Sequence, residues 1–157
     1  MSDLLSVVKK VSLDDFHTEL SRTEEILMNK LIAKSMGHDS RGSYAMLAMA
    51  RVKGSFVWGK NKIHRPANTV SKDYPAISGM HAELDLWRQT SSLEGCTVFV
   101  GGNNIGSRNP MPNTCPCLYC LTLLYEAGVQ TIIFRRWGES VKVQMNQIPI
   151  KDILAEC

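Results

Sequence analysis

Apolar residues recur at Ile26, Leu27, Leu31, Ile32 and Met36, the three-and-four spacing of one helix face. Just before them, Ser21-Arg22-Thr23-Glu24 has the form of a capping box, in which a hydroxyl and a carboxylate satisfy open N–H groups of the first turn. The pattern predicts a helix over 22–36 that stops near Gly37. Two strand-like runs, 45–52 and 55–59, are separated only by Lys53-Gly54, which predicts a β-hairpin. Further along come a helix at 81–90, a strand at 96–100 (CTVFV), and a helix from Pro116 to about 127, before Gly128. Strands at 130–134 and 141–144 follow, and 150–156 can form a short last helix. Another short helix is expected around 13–20. The stretches 60–79 and 101–114, rich in Asn, Pro, Gly and Ser, predict loops. Pro116 suits a first helical turn, where its missing N–H has no partner to lose.

The order is helix, hairpin, helix, strand, helix, strand, strand. It predicts an α/β fold of three layers, α-β-α, around a mixed sheet. Only residues 135–140 join the last two strands, too few for a parallel crossover of a dozen or more. They are expected to pair as a C-terminal antiparallel hairpin. No repeat, low-complexity tract or linker interrupts the chain, so a single domain over 1–157 is expected. Its core falls at about 21–145, with 1–20 and 146–157 peripheral.

Composition narrows the class. Hydrophobic residues make up 44% and charged residues 21% of the 157, an ordinary soluble balance. No apolar run approaches the roughly 18 residues of a membrane span, so no membrane partner is expected. The N-terminus MSDLLSVVKKVSLDD lacks the apolar core and cleavage site of a secretory signal. These features point to the cytoplasm. There an odd number of cysteines, five, fits reduced thiols better than a disulfide framework.

The net charge of +3 falls short of the footprint of a dedicated nucleic-acid binder. The charge is uneven, however. From Arg51 to Lys72, both included, there are six Lys or Arg residues and no acid. Two readings stand: a solvated basic face, or a positive mouth for a phosphate-bearing ligand.

The chemistry concentrates in two segments, Met80-His81-Ala82-Glu83 and Pro116-Cys117-Leu118-Tyr119-Cys120. On a helix, residues three apart share a face, so Cys117 and Cys120 can place both sulfurs on one ion. A helix N-terminus favours the thiolate, which is the ligand form. His81 adds an imidazole. Such a Cys₂His set leaves one tetrahedral position of a zinc ion open, the mark of a catalytic rather than structural site. Zinc lowers the pKa of a water, and Glu83, two residues past the ligand, is placed to move its proton. A structural zinc site is the alternative, but it needs a fourth ligand, and no second Cys-x-x-Cys supplies one. Cys115, separated from Cys117 only by Pro116, is not expected to ligate.

The HAE segment followed, after residues 84–115, by PCLYC resembles the zinc-dependent cytidine deaminase-like superfamily. The likeness in motif and element order covers about 45–136. It implies a central five-stranded sheet, with one catalytic Zn²⁺ per chain held between two helix N-termini. It also implies hydrolytic deamination of a base, with His81, Cys117 and Cys120 as ligands and Glu83 as proton shuttle. By position, the Ala82 N–H faces the base carbonyl and the Cys115 carbonyl accepts from the amino group. In GKNKIHRPA, Asn61 matches an asparagine that contacts base or sugar in the family; a plain turn asparagine is the other reading. The residue before Pro116 is Cys115, where many members carry Glu or Ser.

The terminal hairpin resembles the branch that acts on free nucleosides. Lys60, Lys62, His64 and Arg65, with Arg108 in the second loop, suit a phosphate. A free cytosine nucleotide or nucleoside is therefore expected as substrate, with deoxycytidine monophosphate a reasonable first trial. The alternatives are editing of single-stranded DNA or RNA, with Trp58 or Trp137 as stacking platforms, and a non-catalytic nucleotide-binding module. Trp58 is expected to pack in the hairpin and Trp87 in the core. The strand at 141–144 leaves a sheet edge that association can cover, and the resemblance implies a dimer or tetramer.

Overall fold

The computed structural model describes residues 19–38, 43–75, 79–90 and 92–157. Apart from Glu19 and Leu20, the helix expected around 13–20 lies outside them. The capping box forms as expected. The Ser21 hydroxyl accepts from the Glu24 N–H at 3.1 Å, and the Glu24 carboxylate accepts from the Ser21 N–H at 2.8 Å. Helix α1 then runs Arg22–Ser35.

Strands β1 (Tyr44–Val52) and β2 (Ser55–Lys60) form the expected hairpin, closed at Val52 and Ser55. Strand β5 (Thr97–Asn104) pairs antiparallel with β1 and parallel with β6 (Thr131–Arg136). Strand β7 (Glu139–Gln144) pairs antiparallel with β6, as the short link requires. The turn between them is Trp137-Gly138, both in the left-handed region at φ 51° and 80°, the backbone that a two-residue hairpin turn needs. The result is a five-stranded mixed sheet in the order β2-β1-β5-β6-β7.

Side chains alternate between the two faces of this sheet. Leu47 and Met49 join Phe99 and Ile133 against Met28, Leu31 and Ile32 of α1. Ala48, Ala50, Val98, Val100, Ile132 and Phe134 point the other way. There they meet Leu86 of α2 (Ala82–Gln89), Leu121 and Leu124 of α3 (Leu118–Glu126) and Ile153 of α4 (Ile150–Glu156). These are the three layers expected. Among the described residues, no helix is long and apolar enough to cross a membrane.

Several expectations need correction. The 60–79 stretch is not all loop: β3 (Lys62–Pro66) pairs with β4 (Gly79–Met80), and a 3₁₀ turn covers Ala67–Thr69. A two-stranded piece this short leaves no apolar alternation in the sequence. Strand β5 continues through Gly101 and Gly102 to Asn104. A Cβ at Gly102 would stand 2.2 Å from the Ala45 carbonyl oxygen, so here glycine marks a close approach and not a loop. Pro116 falls outside the helix, because Cys117 is the N-cap of α3. In the C-terminal segment, Ile148 and Ile153 are buried. Trp87 is exposed rather than core, because α2 turns Ala82 through Leu86 inward and leaves Trp87 outside.

Candidate active site

Helix α2 sits directly on β2. A Cβ at Gly59 would stand 2.2 Å from the Ala82 carbonyl oxygen and 2.3 Å from the Leu86 nitrogen, so only glycine admits the helix so close. This approach fixes where α2 begins. His81 is its N-cap and follows Met80 of β4, while Cys117 is the N-cap of α3 and Cys120 lies in its first turn. The two helix starts face each other. Nδ1 of His81 lies 3.5 Å from Sγ of Cys117 and 3.3 Å from Sγ of Cys120. In a tetrahedral zinc site, bonds of about 2.0 Å to nitrogen and 2.3 Å to sulfur set such donors roughly 3.5 Å apart. All three donor atoms lie within 4.8 Å of one another. The residues present therefore fit one ion, and two helix N-termini supply partial positive charge to the thiolates.

The electrostatics agree. In the protein alone, hydrogen bonding from the Cys120 thiol, and then from His81, holds the Cys117 thiol down at about 4. Cys120, which keeps the shared proton and is buried, is pushed far up. The hydrogen bond to Cys117 raises His81. Glu83 is 6% exposed, and burial raises its carboxyl above the usual range. A raised pKa suits a group that must both take and give a proton near neutrality.

His81, Ala82, Glu83, Cys115 and Cys117 line a cavity of about 450 Å³, together with Tyr44, Met46, Asn61, Met80, Met111, Asn113 and Thr114. Asn61 is buried, and its side chain is held by the backbone: Oδ1 accepts from the Met46 N–H at 2.9 Å and Nδ2 donates to the Tyr44 carbonyl at 3.2 Å. Nε2 of His38 lies 3.1 Å from the same Oδ1. Arg65 is exposed and is not among the residues lining the cavity. Arg108 is exposed too and borders a different, smaller cavity of about 190 Å³ with Asn103 and Ser35. The fold thus gathers seven of the nine sequence-derived candidates, His81, Ala82, Glu83, Cys115, Cys117, Cys120 and Asn61, but not the two arginines.

Cys115 differs from expectation in another way. Its sulfur is bonded to that of Cys157, because α4 folds back so that Ile150 and Leu154 pack against the same core as Cys115. No spacing rule forecasts a pairing across 42 residues. Two further residues escaped the sequence reading. Tyr74 is 3% exposed, and its hydroxyl lies 2.9 Å from Sγ of Cys120; an aromatic inside the polar stretch KDYPA was its only signal. The Asp85 carboxylate, fully buried, accepts from the Lys60 N–H at 2.9 Å, Lys62 Nζ at 3.3 Å and Arg88 Nε at 2.5 Å. Burial pushes Asp85 up, but these partners hold it below the ordinary carboxylate range. They tie α2 to the segment carrying Asn61 and engage Lys62.

The mixed sheet between one helix and three, with a His/Cys/Cys donor set at two helix starts, defines the fold as cytidine deaminase-like. It is similar to the crystal structure of cytidine deaminase from Burkholderia pseudomallei, with a TM-score of 0.54 and 13% identity over 81% of this chain and 94% of that one. No protein-family model and no curated protein matches the sequence.

Proposed function

We propose that this chain is a zinc-dependent hydrolytic deaminase of a free cytosine nucleoside or nucleotide, giving the uracil compound and ammonia. One observation carries the reading: His81, Cys117 and the Glu83 carboxyl share a cavity wall, with Sγ of Cys120 3.3 Å from Nδ1 of His81. A zinc ion held there would act as a Lewis acid toward a water. Glu83 takes a proton from the attacking water and passes protons to the ring nitrogen and the departing amine, which leaves as ammonia. Ala82 opens α2, where N–H groups have no intrahelical acceptor, so its N–H is available to the base carbonyl. Pro116 favours extended backbone at Cys115, and the bond to Cys157 anchors that residue; its carbonyl is proposed to accept from the amino group.

The cavity volume suits a nucleoside, and the similar solved structure is a cytidine deaminase. Arg65 and Arg108 stand off the lining residues, which favours the nucleoside over its phosphates. Charge reversal at either arginine is expected to leave KM for a nucleoside unchanged. A rise in KM confined to the nucleotide would restore their phosphate role. Exposed aromatics support a second reading, single-stranded nucleic acid: Tyr44 at the cavity, 47% exposed, and Trp137, 70% exposed with the Arg136 guanidinium 4.6 Å from its ring.

One panel separates the readings: cytosine, cytidine, deoxycytidine, their mono- and triphosphates, and single-stranded DNA and RNA, followed by ammonia release. Turnover of the free compounds supports the first reading, and turnover of polynucleotides alone would replace it with the second. A dimer or tetramer is proposed as well, with the β7 edge as contact, and a solution mass of one chain would refute it.

A further inference from the structure

Tyr74 touches two members of the donor set without belonging to it. Its hydroxyl lies 2.9 Å from Sγ of Cys120, and its ring meets the His81 ring edge to face, with centroids 5.5 Å apart at 84°. A buried phenol needs a hydrogen-bond partner, and Tyr74 is 3% exposed. It is packed among Ala67, Met80, Leu84 and Cys120 in a small apolar cluster. Once Cys120 is a thiolate it can only accept, so the phenol donates. Low local polarity strengthens that bond.

We propose that Tyr74 is a positioning residue of the metal centre, donating to the Cys120 thiolate and fixing its sulfur and the His81 ring for the ion. The proposal rests on the zinc-site reading above. A hydrogen bond to a ligand sulfur holds the sulfur in place, stabilises the thiolate against protonation and draws charge from it. All three effects should act on the metal and not on substrate contacts.

The test uses the full chain loaded with cobalt(II), whose thiolate-to-metal charge-transfer absorption reports the charge on sulfur. Tyr74→Phe keeps the ring against His81 and removes the donor. The absorption is expected to move to lower energy, and cobalt is expected to bind about 10-fold more weakly in chelator competition. The Tyr119→Phe variant is the control; its ring lies 5.5 Å from that of Tyr74, and neither readout should change. If Tyr74→Phe does not fold, wild-type protein made with 3-fluorotyrosine, a stronger donor, should shift the absorption to higher energy. An unchanged absorption with unchanged affinity in Tyr74→Phe, or no shift with the fluorinated residue, overturns the assignment. Wild-type protein that shows no thiolate-to-cobalt absorption sinks the metal site itself and this role with it.

Discussion

Nδ1 of His81 and Sγ of Cys120 lie 3.3 Å apart although one caps the start of α2 and the other lies in the first turn of α3. Neither helix has a side-chain cap at its start. The two N-cap residues and Cys120 instead turn their donor atoms on one another. If that convergence is a metal site, removing one donor should empty it. Cys120→Ala and His81→Ala are each expected to lower bound zinc from about one ion per chain to below about a tenth, measured by metal analysis after dialysis. Full occupancy in either variant would count against the donor set.

Metal binding should also depend on pH in a definite direction. The shared proton leaves Cys117 low, at about 4, and Cys120 raised. An incoming ion must displace the Cys120 proton, so the apparent affinity should rise with pH by about tenfold per unit through the neutral range. His81 is raised by its hydrogen bond to Cys117 and adds a second proton on the acid side, which steepens the slope there. Chelator competition between about pH 5.5 and 8 measures this. A flat profile would mean that the thiols are not the ligands.

Much of this site was legible because its parts are local. A histidine two residues before a glutamate, and two cysteines three apart before an apolar helix, declare chemistry by spacing alone. The β6–β7 hairpin was legible for a similar reason, since six residues cannot cross over. What stayed hidden depends on distant packing. Gly101 and Gly102 looked like a loop because their value lies in contact with α1 and Ala45. Asp85 carries no signal of its own in the sequence, because its partners come from β2, β3 and its own helix. Arg65 and Arg108 were plausible phosphate ligands from charge alone, and only tertiary structure shows them off the cavity lining.

The Cys115–Cys157 bond joins the segment beside Cys117 and Cys120 to the segment after α4. The chain-entropy account of such a loop gives about 4 kcal/mol. Cys157→Ser should lower the denaturation free energy by up to about that amount while leaving bound zinc unchanged. With the metal removed under denaturing conditions, thiol titration should find Cys96, Cys117 and Cys120 free. Five titratable thiols in the unreduced protein would contradict the bond.

Asp85 should behave as a structural carboxylate. Asp85→Asn leaves Lys62 and Arg88 without their counter-charge and is expected to cost about 3 kcal/mol at pH 7. Because the folded carboxyl is depressed, its contribution is present above the ordinary carboxylate pKa. It is lost as pH falls through the depressed value. Denaturation at pH 7 and at about pH 2, below the ordinary carboxylate range, should therefore show a smaller difference between variant and wild type at the lower pH. An equal loss at both would mean that charge is not the cause.

Deamination in the proposed site needs both a metal and the Glu83 carboxyl beside it. Zinc content and ammonia release, measured together on wild type and Glu83→Gln with the cytosine panel, test it most directly. Both proteins are expected to hold about one zinc per chain, and wild type to turn over at least one free cytosine compound. A fall of about 10³-fold or more is expected in Glu83→Gln. Wild-type protein without zinc, or Glu83→Gln with undiminished ammonia release, would contradict this requirement.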